Sequence, residues 1–133
     1  MLNKIEHLGI AVRDLDAAEK IYTDLLGTPP YKREPVASEQ VMTSFFQCGK
    51  SKIELLAATD PESTIAKYVE KRGEGLHHVA FAVDDIDSEL QRLERLGYRK
   101  IVGPKDGADN KTIAFLHPKD TTGMLVELCQ EKV

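Results

Sequence analysis

At 133 residues the chain is long enough for one hydrophobic core and needs no disulfide or metal to hold it together. Its 18 Lys and Arg against 22 Asp and Glu leave a formal charge of -4, which argues against the basic stripe of a general nucleic-acid binder. No apolar run approaches the roughly 20 residues that cross a bilayer, the opening "MLNKIEH" has no signal or transit pattern, and Cys48 and Cys129 read as reduced thiols; a soluble, cytoplasmic protein that handles a small molecule is expected.

In chain order, "HLGIAVRDLD" (His7 to Asp16) starts with alternating apolar residues, a strand, and then offers Asp14 as the N-cap of a helix over roughly Leu15 to Leu26, which Gly27 ends. Leu15, Ala18, Ile21, Tyr22 and Leu25 form the expected core stripe of that helix. A short weak strand in "YKREPVA" precedes "VMTSFFQCG" and "SKIELLAA", two strands flanking a turn at Gly49 and Lys50. In "DPESTIAKYVEKRGEG", Pro61 at a first turn, Glu62 near the positive end of the dipole and the spacing of Ile65, Tyr68 and Val69 predict a connecting helix that Gly73 ends.

The next segment, "HVAFAVDDID" (His78 to Asp87), repeats the first. Five of ten positions coincide: His7 with His78, Ala11 with Ala82, Val12 with Val83, Asp14 with Asp85 and Asp16 with Asp87. A helix over Ile86 to Leu96 before Gly97, a weak strand in "RKIVGP", and the strands "KTIAFLHPKD" and "GMLVELCQ" around Thr121 to Gly123 complete a second β-α-β-β-β series. The chain is read as an α+β fold of one domain, 1–133. Its two tandem modules span about 1–59 and 74–133, joined by the helix at about 60–73.

The duplication also pairs Glu54 in "KIELL" with Glu127 in "LVELC", so each module offers one His on its first strand and one Glu on its last, 47 residues apart in one copy and 49 in the other. A carboxylate in the middle of an otherwise apolar strand has to find a partner once buried. If the copies are related by a local two-fold axis, His7, Glu54, His78 and Glu127 converge, and two imidazoles with two carboxylates suit a divalent metal with open positions for substrate. His77 is aimed away from His78 by strand alternation, and His117 before Pro118 reads as a turn residue. Neither cysteine has the His and acid arrangement that cysteine catalysis needs, and "DGADNK" lacks the spacing of a phosphate-binding loop.

The motifs "EHLGIAV", "KIELL", "GLHHVAFAVDDI" and above all "IAFLHPKDTTGMLVELCQ" resemble the methylmalonyl-CoA epimerase family of the vicinal oxygen chelate (glyoxalase/bleomycin-resistance) superfamily, over nearly the whole chain. The resemblance implies a curved, roughly eight-stranded cleft sheet with helices outside. It implies a divalent metal (cobalt, manganese, zinc or similar) on His7, Glu54, His78 and Glu127, an acyl-CoA thioester substrate and a homodimer. The implied reaction interconverts (2R)- and (2S)-methylmalonyl-CoA by C2 proton abstraction through a metal-stabilised enolate, with Glu127 as one acid/base group. For the second group, the column that holds Glu in some members holds Thr43 here; Glu54, Glu39 or a relayed water are the alternatives. Lys111 and Lys119 are the candidate cations for the substrate's carboxylate and phosphates. The competing readings are a glyoxalase I-type lyase acting on a glutathione hemithioacetal and a metal-free binding protein of the same fold.

Overall fold

The computed structural model describes residues 2–132. Its elements run β1 (Leu2–Val12), α1 (Leu15–Leu26), β2 (Lys32–Val36), β3 (Val41–Cys48), β4 (Ser51–Ala58), α2 (Thr64–Arg72), β5 (Gly75–Val83), α3 (Ile86–Arg95), β6 (Lys100–Gly107), β7 (Lys111–Leu116) and β8 (Leu125–Glu131). This is the α+β alternation that the repeat predicts. The strands hydrogen-bond in the order β2-β3-β4-β1-β5-β8-β7-β6, so each copy lays its strands down in the same sequence with its first strand at the centre. β5 and β8 run parallel, while β2–β3, β3–β4, β6–β7 and β7–β8 are antiparallel.

The helix starts follow from the duplicated aspartates. Asp14 accepts the Ala17 N–H and Asp85 the Ser88 N–H, both at 3.1 Å. These bonds satisfy donors that the first helical turn leaves open. Gly27, in the left-handed region at φ 71°, closes α1 by donating to the Thr23 carbonyl.

Three expectations are corrected. The connecting helix starts at Thr64, not at Pro61: the Asp60 carboxylate accepts the Glu62 N–H at 2.8 Å, which holds Pro61 and Glu62 in a turn, and Ser63 takes the N-cap by accepting from Ile65 at 3.1 Å. In α1 the buried stripe is Leu15 and Ala18 with Tyr22 and Leu26 beside them, whereas Ile21 and Leu25 are 55% and 70% exposed. At about 100° per residue those two lie to one side of the stripe. The strand "KTIAFLHPKD" stops at Leu116, because Pro118 has no N–H to give a ladder and the His117 ring accepts the Lys119 N–H to start a short 3₁₀ turn over Pro118–Asp120.

Contacts divide the described residues into two compact units, one of residues 2–7 together with 78–132, the other Leu8–His77. In the second, α1 covers Val12, Phe46, Leu55 and Ala57, and α2 covers Ala11, Val41 and Leu56. In the first, Ile86 and Leu90 of α3 pack on Val83, Ala114, Leu116 and Leu128. Alternation along β7 and β8 then turns Phe115, Glu127 and Cys129 away from the face that α3 covers. Among the described residues, no helix is long and apolar enough to cross a membrane.

Candidate metal and acid/base centre

His7 on β1, His78 on β5 and Glu127 on β8 meet within the unit that those strands share. Register sets up the approach: Ala80 of β5 pairs with Glu127 of β8, so His78, two residues earlier, is on the same face as the carboxylate. The His7 and His78 Nε2 atoms are 3.1 Å apart, and Oε1 of Glu127 lies 3.5 Å from the first and 3.2 Å from the second. All three side chains are buried, at 5%, 4% and 5% exposure. The imidazoles meet edge to face at 85°, and the Phe115 ring stands edge-on to His78 at 6.0 Å.

Burial alone pushes the Glu127 carboxyl up, but hydrogen bonds and charge from His7 and His78 outweigh it and hold the group down at about 2. The carboxylate is therefore ionised at neutral pH. Two imidazole nitrogens and a carboxylate oxygen aimed at one buried point form a donor set of intermediate hardness, which fits a divalent transition metal.

Around this centre sit groups of three kinds. Glu6, 4% exposed, places Oε1 2.9 Å from Nδ1 of His7. Cys129, two residues beyond Glu127, is buried with Sγ 3.5 Å from the Phe81 carbonyl. Lys111 pairs with Glu131 across β7–β8, and Lys111, Phe115 and Glu127 fall on one face. Its ammonium is buried, 3.1 Å from the Asp109 carbonyl and 3.5 Å from the Glu131 carboxylate.

The remaining expected residues are carried by other elements. Lys119 is exposed in the 3₁₀ turn Pro118–Asp120. Glu54, buried on β4 of the Leu8–His77 unit, pairs with Phe45 of β3. Thr43 is buried on β3 and its hydroxyl donates to the Glu34 carbonyl at 2.6 Å, which commits the only proton it could trade. His77 packs edge-on against Tyr68 at 4.9 Å, outside the centre as expected. Glu6 was not singled out by the sequence pattern; the one signal was the break in the repeat, where Glu6 precedes His7 but His77 precedes His78.

The model of the Glyoxalase/Bleomycin resistance protein/Dioxygenase superfamily matches residues 6–115. An ethylmalonyl-CoA/methylmalonyl-CoA epimerase of Cereibacter sphaeroides is 38% identical over 133 residues, 98% of this chain and 99% of that one. The crystal structure of a Mycobacterium tuberculosis methylmalonyl-CoA epimerase superposes with a TM-score of 0.94 at 34% identity, covering 99% of this chain and 90% of that chain. A Streptomyces coelicolor methylmalonyl-CoA epimerase variant in complex with 2-nitronate-propionyl-CoA superposes with a TM-score of 0.95 at 33% identity, covering 100% and 97%. The chain belongs to the glyoxalase/bleomycin resistance protein/dioxygenase superfamily, in the branch that holds the methylmalonyl-CoA epimerases.

Proposed function

We propose that this protein is a metal-dependent epimerase that interconverts (2R)- and (2S)-methylmalonyl-CoA. What carries the reading is the convergence of His7, His78 and Glu127 on one buried point in a chain that resembles such epimerases over its full length. His7, His78 and Glu127 would hold the ion, with Glu54, the counterpart of Glu127 in the repeat, as the fourth ligand. When bound, the ion supplies Lewis-acid polarisation of the thioester carbonyl and so makes the neighbouring C–H more acidic.

The remaining work falls to the chain. C2 of the substrate lies between a thioester and a carboxylate, and inversion requires a proton to leave one face and another to arrive on the opposite face. Glu127 accepts the proton on one side. Thr43 is unsuited to the other side, since its hydroxyl is tied to a backbone carbonyl. That leaves Glu54, Glu39 or a relayed water as the second group. The buried ammonium of Lys111 takes the substrate carboxylate, and Lys119 takes a phosphate of the CoA arm. The apolar edge of Phe115 beside His78 keeps water from the reacting carbon. Homodimer formation in the cytoplasm goes with this reading.

The test uses enantiopure (2S)-methylmalonyl-CoA and the cobalt-loaded protein. The account expects the pool to reach equal (2R) and (2S) forms. A protein that leaves the thioester unchanged but isomerises the hemithioacetal of glutathione and methylglyoxal is a glyoxalase I-type lyase, and the epimerase reading falls.

A further inference from the structure

We infer that Glu6 is a positioning residue that fixes the tautomer of His7 and turns its Nε2 toward the metal. The inference deepens the metal reading proposed above and rests on it. The Glu6 carboxylate is buried, and its Oε1 is 2.9 Å from Nδ1 of His7, a distance at which a proton sits between the two. With the imidazole as the donor of this bond, the proton lies on Nδ1 and the Glu6 oxygen accepts it. Once an ion is bound, a ring that keeps its proton on Nδ1 gives the metal its Nε2 lone pair, and that nitrogen faces His78 and Glu127. A carboxylate–imidazole pair of this kind both orients a ligand and raises its basicity.

The two halves of the repeat differ on this point. His7 has Glu6 at its back, whereas the residue before His78 is His77, whose ring lies edge-on against Tyr68. Only the first histidine is thus oriented by the acid that precedes it, and the two ligands are not equivalent. Loss of Glu6 frees the His7 ring to rotate or to carry its proton on Nε2, either of which removes one nitrogen donor from the ion.

The experiment measures zinc binding by isothermal titration for wild type, Glu6→Gln and Glu6→Ala, and records the imidazole ¹⁵N spectrum of the zinc-loaded wild type. Glu6→Ala is expected to weaken zinc about 10–100-fold. Glu6→Gln, whose amide oxygen still accepts from Nδ1, is expected to recover most of that loss. In the spectrum, His7 is expected to carry a proton on Nδ1 and the metal on Nε2. The spectrum needs no variant, so it decides even if Glu6→Ala does not fold. Zinc bound at wild-type affinity in Glu6→Ala, or a metal-bound Nδ1 at His7, overturns the positioning role while leaving the metal reading intact. Failure of wild type to bind zinc at all overturns both.

Discussion

Replacing Glu127 by Gln changes the shape of the side chain little but removes its charge and its capacity to take a proton. The carboxylate stands 3.5 and 3.2 Å from the two imidazoles and is buried, so the amide occupies the same space between the same neighbours. A positioned general base is worth roughly 10²–10⁴ in rate, or about 3–5 kcal/mol of barrier at ~1.36 kcal/mol per tenfold. Loss of the negative ligand also weakens the ion, so the assay is run at saturating cobalt, following epimerisation of (2S)-methylmalonyl-CoA across substrate concentrations. The expected result is a fall in kcat of at least about 100-fold with KM nearly unchanged, because the group acts on the reacting carbon rather than on the CoA arm. Circular dichroism of the variant serves as the check on folding. A folded, metal-saturated Glu127→Gln protein that keeps more than about a tenth of the wild-type kcat would show that the carboxylate is not the base, since that loss lies far below the contribution a base makes.

Other residues give independent tests. Phe46→Ala empties a fully buried position on β3 beneath α1, and its urea unfolding midpoint is expected to fall by an amount worth about 3–5 kcal/mol. Lys111→Met keeps the apolar stem and removes the ammonium, so KM for methylmalonyl-CoA is expected to rise more than kcat falls; unchanged KM would remove Lys111 from substrate binding. The Arg99 side chain and N–H hold Asp120 down at about 2 from an ordinary 3.8. A carboxyl lowered on folding stabilises above its unfolded value and loses that contribution as pH falls through the folded one. Asp120→Asn is therefore expected to be less stable than wild type at pH 7, with the gap closing between about pH 4 and pH 2 in parallel unfolding curves; a gap independent of pH would refute it.

Legibility varied with the kind of physics involved. The start of α1, the helix that Gly27 ends and β4 were readable to the residue, because Asp14, Gly27 and the Gly49–Lys50 turn are local signals that act on their own neighbours. The repeat carried more, since two copies of one pattern fixed eight strands and brought out His7, Glu54, His78 and Glu127 as a set. The start of α2 was misread because Pro61 and Ser63 are both good opening residues, and the Asp60 turn decides between them. Ile21 and Leu25 looked like core because apolar spacing marks a face without saying how wide the covering surface is. Glu6 stayed out of view for a different reason. Alternation sends neighbours on a strand to opposite faces, so no argument from spacing joins Glu6 to His7; only a long side chain reaching back to the ring does so.

The claim at the centre of the account is that a divalent ion and Glu127 together make C2 of methylmalonyl-CoA exchange its proton. The direct measurement is deuterium uptake at C2 in deuterated water, followed by NMR, for metal-stripped protein, cobalt-reconstituted protein and cobalt-reconstituted Glu127→Ala. The account predicts uptake only in the reconstituted wild type. Uptake at the same rate in stripped protein, or none with any divalent metal, would contradict it.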